Sequence, residues 1–138
     1  MNLIICIDDQ YGMQFGGRRQ SRDREVCKRV MEISLSSCLW LNRSAQTLFE
    51  GLVGSVRTDD TFLQNAGIDE YCFVEDLDFL HYIDRVKQII LFRWNRVYPA
   101  DTYFPEQLLQ SGWKKVAVTD FSGYSHERIT QEVYLRED

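Results

Sequence analysis

The stretch Val86-Lys87-Gln88-Ile89-Ile90-Leu91-Phe92-Arg93-Trp94 carries four consecutive apolar residues between polar and charged ones. An apolar run rich in β-branched and aromatic residues predicts a strand, and one that is buried on both faces. The stretch therefore predicts a long strand over residues 86–94. A sheet built on this strand needs further buried strands, and the sequence supplies them.

Shorter apolar runs at residues 2–7, 38–41 and 71–74 predict three more buried strands. Helical patterns separate these runs. The longest follows Ser21, a plausible N-cap, and places Asp23 in the first turn. Strands that alternate with helices are typical of a mostly parallel sheet with helices on its faces.

The remaining segments complete the predicted architecture. Residues 8–20 form a predicted loop with three glycines. Apolar residues over 113–121 and 129–135 predict two strands joined by a short turn, and so an antiparallel pair. The predicted fold class is therefore α/β, with a mostly parallel central sheet, flanking helices and a C-terminal antiparallel strand pair.

Length and composition exclude several classes of protein. The 138 residues fit one domain over residues 1–138, and 44% hydrophobic content is enough for a core. The net charge of −5 argues against a dedicated nucleic-acid binder. No apolar run is long enough for a membrane helix, and the N-terminus lacks the pattern of a secretory signal.

Cysteine and histidine usage gives no sign of a metal site. The four cysteines lack a C-x-x-C pair, and the chain has only two histidines. Zinc sites need clustered thiolates or imidazoles, so no metal is predicted. We expect buried, reduced thiols and a cytoplasmic protein. The cysteines are Cys6, Cys27, Cys38 and Cys72.

The charges are unevenly distributed along the chain. Residues 18–29 include six basic and two acidic residues, whereas residues 57–84 include one basic and eight acidic residues. The basic segment follows a glycine loop at the predicted start of a helix. Such a segment is either a solvated face or a site for a small anion or a protein partner. The candidate binding residues are Gly16, Gly17, Arg18, Arg19 and Arg22.

The segment Asp101-Thr102-Tyr103-Phe104-Pro105, followed by Trp113 and two C-terminal strands, resembles the closing third of dihydrofolate reductases. The opening strand, the glycine-containing loop and the helix with Asp23 follow in that family's order. Arg43 also follows the second strand as it does in the family. The resemblance implies a dihydrofolate-reductase-like fold over nearly the whole chain.

The resemblance also implies which residues would act if the chain were a reductase. Asp23 corresponds to the carboxylate that holds the pterin ring and helps to deliver a proton. Thr102 corresponds to a threonine that supports this carboxylate, and Arg43 to a contact with a phosphate of NADPH. In this interpretation the chain is an NAD(P)H-dependent reductase of a pterin-like or other flat heterocycle.

Departures from the family favour a different function. Glu75 and Asp76 stand where the family has two adjacent glycines beside the cofactor pyrophosphate, and carboxylates repel a diphosphate. Asn42 replaces a glycine, and residues 51–69 form a shorter segment than in the family. A polar run at residues 18–22 replaces a Pro-Trp pair. We therefore expect no cofactor, and a binding or regulatory module for a small anionic ligand or a protein partner.

Other interpretations stay open. The 18 aromatic residues would also suit an accessory interaction subunit or a homo-oligomer. A nucleic-acid partner is disfavoured by the acidic net charge. Ser125 and His126 are assigned to a hairpin loop rather than to a catalytic triad, because the members of a triad converge from separate elements.

Overall fold

Residues 1–137, which the computed structural model describes, form ten strands and two α-helices. The helices are α1 (Arg24–Ile33) and α2 (Phe62–Asn65), and 3₁₀ helices span Arg43–Phe49, Leu77–Arg85 and Glu106–Gln110. The strands are β1 (Asn2–Ile7), β2 (Gly12–Phe15), β3 (Arg18–Arg19), β4 (Leu39–Leu41), β5 (Val56–Thr58), β6 (Tyr71–Phe73), β7 (Gln88–Arg93), β8 (Thr102–Tyr103), β9 (Trp113–Phe121) and β10 (Ile129–Arg136).

Seven strands form the central sheet, in the order β5-β4-β6-β1-β7-β10-β9. Strand β1 pairs in parallel with β6 and β7, and β4 pairs in parallel with β5 and β6. Strand β10 runs antiparallel to both of its neighbours, β7 and β9. The predicted α/β class, with its mostly parallel sheet and C-terminal antiparallel pair, is confirmed.

Two apolar clusters bury the two faces of this sheet. Leu3 and Leu91 belong to one cluster, whereas Ile4 and Ile90 belong to the other. Neighbouring residues of one strand therefore enter different clusters, because side chains alternate between the faces of a sheet. This two-sided burial explains why the central strands appear in the sequence as continuous apolar runs.

The predicted start of the first helix was wrong by two residues. Asp23, not Ser21, is the N-cap of α1, and its side chain accepts a hydrogen bond from the backbone N–H of Glu25 at 2.9 Å. Aspartate and serine are similarly good N-caps, so the local sequence does not choose between them. The Ser21 hydroxyl instead lies beside His126, more than a hundred residues away.

The predicted loop over residues 8–20 contains two strands that the sequence analysis missed. Strands β2 and β3 form a hairpin, and β8 pairs with β2 to complete a small second sheet. Gly16 and Gly17 form the hairpin turn with φ of 59° and 75°. A two-residue turn with positive φ at both positions favours glycine. The strands have only four and two residues, too few to show a clear alternation.

We predict that Leu91→Ala lowers the free energy of unfolding by about 2–5 kcal/mol, because it leaves a cavity in the centre of the sheet. Leu91 is 0% exposed, whereas Leu35 is 57% exposed. The matched control, Leu35→Ala, should change stability by less than about 0.5 kcal/mol. Urea denaturation followed by circular dichroism measures both. Equal losses in the two variants would contradict the central position of β7.

Candidate functional site

Asp23 joins the start of α1 to the loop between β9 and β10. Its side chain is buried, and four backbone N–H groups donate to it. These lie at 2.9 Å for Glu25, Tyr124 and Ser125 and at 3.1 Å for His126. The carboxylate therefore caps the helix and orders the loop at the same time.

The imidazole of His126 is the second centre of this cluster. It is buried, and its Nδ1 lies 2.8 Å from Oδ2 of Asp23. The ring stacks on Trp94, with centroids 4.6 Å apart. Its Nε2 lies 3.0 Å from Oγ of Ser21 and 2.9 Å from the hydroxyl oxygen of Tyr98. Since the Asp23 carboxylate accepts the proton on Nδ1, a neutral ring leaves Nε2 to accept from a hydroxyl.

Asp8, at the end of β1, positions the two segments that carry these hydroxyls. Its buried Oδ2 accepts hydrogen bonds from the Gln20 amide at 2.9 Å and from the Tyr98 backbone N–H at 3.1 Å. Burial opposes ionisation, but hydrogen bonds from Gly12 and Tyr98, among others, lower the pKa of Asp8 below its usual value. The anion thus ties Gln20, next to Ser21, and Tyr98 to the central sheet.

The protonation state of Asp23 follows from its hydrogen bonds. Burial by itself would raise the pKa of this carboxyl group. Hydrogen bonds from Tyr124, His126, Ser125 and Glu25 outweigh burial and lower the pKa to about 2. Asp23 is therefore an anion at neutral pH and carries no proton that it could deliver.

The space between Asp23 and the sheet is almost filled by side chains. The cavity there has a volume of about 20 Å³. It holds about one water molecule, whereas sites for small organic ligands measure about 300–1,000 Å³. Its apolar lining comes from Cys6, Val26, Cys27, Phe73 and Trp94.

A larger, basic cleft shares Ser21 and Arg22 with this cavity. Its volume is about 500 Å³, which is within the range of small-molecule sites. Arg18 and Arg22 supply positive charge, and Ser21, Asn42 and Ser44 supply hydrogen-bonding groups. The predicted binding residues Gly17, Arg18, Arg19 and Arg22 are all part of its lining.

One arginine of this cleft is already paired. The guanidinium of Arg19 binds both oxygens of Glu75, at 2.7 and 3.0 Å, and donates to the Ser44 carbonyl at 2.7 Å. Asp76 instead caps the following 3₁₀ helix by accepting the N–H of Asp78 at 3.0 Å. The two carboxylates expected to repel a diphosphate thus serve as an ion-pair partner and a helix cap.

The two glycines among the predicted binding residues differ in their surroundings. The N–H of Gly16 donates to the Asp101 carboxylate at 3.0 Å, so it is already engaged. Gly17, the other residue of the hairpin turn, lines the basic cleft. Of the two glycines, only Gly17 therefore stands at the site.

Arg43 and Thr102 lie apart from the Asp23 cluster. The Arg43 side chain is 82% exposed and stands 4.0 Å from Asp60. The Thr102 hydroxyl lies 3.5 Å from the Asp101 carboxylate, and no hydrogen bond joins it to Asp23 within residues 1–137. The predicted support of Asp23 by Thr102 was wrong, because the loop between β9 and β10 supplies the donors instead.

Sequence reasoning missed three members of the site: Trp94, Tyr98 and His126. Trp94 and Tyr98 follow β7, and His126 lies in the predicted hairpin loop before β10. The location of His126 in this loop was therefore predicted, but the burial of its imidazole against Asp23 was not. No local pattern marks this histidine, since its partners Asp23 and Tyr98 lie 103 and 28 residues away in the chain.

The described part of the chain gives little support for a metal site, a membrane-spanning helix or a reactive thiol. Residues 1–137 contain no group of three or more His, Cys, Asp or Glu side chains that could hold a metal ion. The helices described there are all too short or too polar to cross a membrane. Burial raises the pKa of Cys27 to about 11 and of Cys72 to about 12, which makes both thiols unreactive.

The fold is similar to that of a dihydrofolate reductase from Enterococcus faecalis, solved in complex with NADP(H) and RAB-propyl. The match has a TM-score of 0.67 and covers 99% of this chain and 96% of that chain, at 15% sequence identity. No family model and no curated sequence matches the chain. The protein therefore has a dihydrofolate-reductase-like fold, and at this identity the likeness concerns the fold alone.

We predict that Asp23→Asn lowers stability at pH 7 and flattens its dependence on acid. The folded-state pKa of Asp23 is about 2. Its ionised carboxylate therefore contributes fully to the free energy of unfolding above about pH 4, and this contribution is lost as the pH falls through 2. The difference between the pKa of Asp23 in the folded and in the unfolded chain corresponds to about 2 kcal/mol of unfolding free energy. Urea denaturation between pH 7 and pH 2 measures the difference between wild type and variant.

The control for this prediction is Asp84→Asn. Asp84 is exposed, and its replacement by asparagine removes the same negative charge as Asp23→Asn. This variant should follow the wild-type curve to within about 0.5 kcal/mol. An Asp23→Asn variant as stable as the control at pH 7 would mean that the carboxylate does not hold the loop.

Proposed function

We propose that the protein binds a small anionic ligand in the basic cleft beside Ser21 and is not a pterin reductase. The observation that carries this proposal is the pair Arg18 and Arg22. Within residues 1–137, neither guanidinium forms an ion pair, whereas that of Arg19 does. Two free guanidinium groups at a cleft of about 500 Å³ favour an anion over a neutral molecule.

The polar groups of the cleft suit a phosphate or carboxylate group. A guanidinium donates two parallel hydrogen bonds to such an anion. Ser21, Asn42 and Ser44 add neutral polar groups around the same space, and the hydroxyl of Ser44 donates to Oδ1 of Asn42 at 2.8 Å. A flat apolar ring finds no matching slot there, because ligand sites for such rings are lined mainly by apolar side chains.

Two features near Asp23 support the loss of reductase activity. A pterin ring needs space between the carboxylate and the sheet, and the cavity there measures about 20 Å³. The larger cleft that Asp23 also lines, about 580 Å³, lies on the other side, along Arg24, Lys28 and Tyr124. The carboxyl group also has a pKa of about 2, too low for delivering a proton near pH 7. The Arg19–Glu75 ion pair further occupies the end of β6, where the family resemblance implies a cofactor pyrophosphate.

The alternative is an NAD(P)H-dependent reductase. It is favoured by one observation: the similar dihydrofolate reductase was solved with NADP(H). In that case Arg43, which is exposed and stands 4.0 Å from Asp60, would bind a phosphate of the cofactor. This alternative predicts NADPH binding with micromolar affinity, which makes the two functions distinguishable in one titration.

We predict that inorganic pyrophosphate binds in the cleft and that Arg22→Gln weakens this binding by about 10- to 100-fold. The range corresponds to the loss of a charged hydrogen bond, about 1.5–3 kcal/mol. The control is Arg96→Gln, which removes the same charge at an exposed residue outside this cleft. Isothermal titration calorimetry in a phosphate-free buffer at two salt concentrations measures the affinities.

NADPH is titrated under the same conditions, and the proposal expects no binding at millimolar cofactor. Saturable binding of NADPH at micromolar concentration would replace the proposal with the reductase. Equal weakening by Arg22→Gln and Arg96→Gln would show attraction by net charge rather than a site in the cleft.

A further inference from the structure

Ser21, His126 and Asp23 form a continuous chain of hydrogen bonds that ends at the basic cleft. Oγ of Ser21 lies 3.0 Å from Nε2 of His126, and Nδ1 of His126 lies 2.8 Å from Oδ2 of Asp23. Ser21 also lines the cleft. We infer that Ser21 is a nucleophile that is activated by His126 and Asp23 and attacks an ester of an anionic molecule held in the cleft.

The Asp23–His126 pair has the properties that a base for serine requires. Asp23 stays anionic at neutral pH and is fixed by four backbone N–H groups. The stacking of His126 on Trp94 fixes the plane of the imidazole. A buried carboxylate on Nδ1 holds the proton there and stabilises the imidazolium that forms when Nε2 takes a proton.

Among residues 1–137, Ser21 is the one partner of His126 that combines a short contact to Nε2 with a place in the cleft lining. Tyr98 also approaches Nε2, at 2.9 Å, but it is absent from that lining. Ser125 lies 3.3 Å from the other ring nitrogen, which Asp23 already occupies. Tyr98 therefore competes with Ser21 for a single lone pair, and it acts as a positioning residue for the imidazole.

The cleft defines the class of substrate, and this step rests on the proposed function. Arg18 and Arg22 line the same cleft as Ser21, so they would hold a carboxylate or phosphate group of a molecule whose carbonyl reaches Oγ. The substrate class is therefore a carboxylic ester that also carries an anionic group. Arginine pairs such groups through two parallel hydrogen bonds, which would orient the ester.

The reaction balances with water as the second reactant. Oγ of Ser21 bonds to the carbonyl carbon while its proton passes to Nε2 of His126. The bond from that carbon to the alcohol oxygen then breaks, and the alcohol leaves with the proton from Nε2. Water attacks the acyl-serine by the same route, which releases the acid and restores Ser21.

The small cavity beside Ser21 has room for that water. Its volume is about 20 Å³, enough for one molecule. Gln20 lines the cavity, and its buried Oε1 has no hydrogen-bond partner among residues 1–137. A water molecule in this cavity would satisfy that oxygen and stand next to the acyl group.

The test is covalent labelling of the intact protein with an uncharged alkyl fluorophosphonate. In this reaction Oγ bonds to phosphorus, fluoride leaves, and the proton passes to His126. We expect one adduct, on Ser21, by peptide mass spectrometry, and none in Ser21→Ala. His126→Asn keeps a donor to Asp23 but lacks Nε2, and it should slow labelling by about 100-fold or more.

One variant serves as the control. Ser122→Ala removes an exposed serine of the β9–β10 loop and should label like the wild type. No adduct, an adduct on another serine, or an unchanged rate in His126→Asn would each overturn the inference.

A cysteine variant keeps the test valid if His126→Asn does not fold. Ser21→Cys leaves the imidazole and Asp23 unchanged, and Ser122→Cys places a matched thiol in the exposed part of the loop. An adjacent imidazole favours the reactive thiolate, so Ser21→Cys should react with iodoacetamide about ten times faster. Equal rates in the two variants would overturn the inference.

The substrate class is tested separately with two 4-nitrophenyl esters. Mono-4-nitrophenyl succinate carries a carboxylate, whereas 4-nitrophenyl butyrate is neutral. We expect Arg22→Gln to raise KM about tenfold for the anionic ester alone. Labelling of Ser21 without this preference would uphold the nucleophile and contradict the anion site. Binding of pyrophosphate without labelling of Ser21 would uphold the anion site and contradict the nucleophile.

Discussion

The buried carboxylate of Asp23 is the interaction on which the candidate site depends. Four backbone N–H groups and the ring of His126 donate to it, and four of these five donors lie more than a hundred residues away in the chain. An isolated charge at 3% exposure would be strongly destabilising, so the carboxylate and its donors are stable only together. The start of α1, the β9–β10 loop and the imidazole are therefore fixed relative to one another.

The same constraint underlies our proposal that this protein is not a pterin reductase. A carboxylate that holds a substrate and supplies a proton needs free lone pairs, open space and a moderate pKa. Asp23 accepts hydrogen bonds from the β9–β10 loop, has only about 20 Å³ of free volume between itself and the sheet, and has a pKa of about 2. The carboxylate instead accepts a hydrogen bond from the imidazole of His126. A cleft of about 500 Å³ lies nearby and is lined by Arg18, Arg22 and Ser44.

The fold could be predicted to a large extent, and the failures have definite causes. The run over residues 86–94 became β7 (Gln88–Arg93), because a strand buried on both faces must be apolar throughout. Strands β2 and β3 were missed because they are too short to show an apolar pattern, and they are held mainly by backbone pairing with each other and with β8. The N-cap was misplaced at Ser21, because capping chemistry alone does not distinguish it from Asp23.

The sequence by itself determined the chain order of β1, β4, β6, β7, β9 and β10, the mostly parallel sheet, and the basic segment that lines one side of the cleft. These features follow from local composition and periodicity, which act over a few residues. Only the tertiary structure decided that Arg19 is paired with Glu75 while Arg18 and Arg22 are not, and that His126 lies between Asp23 and Ser21. Such contacts join residues 56 to 105 positions apart, and packing and desolvation in the folded chain select them, which no local pattern can encode.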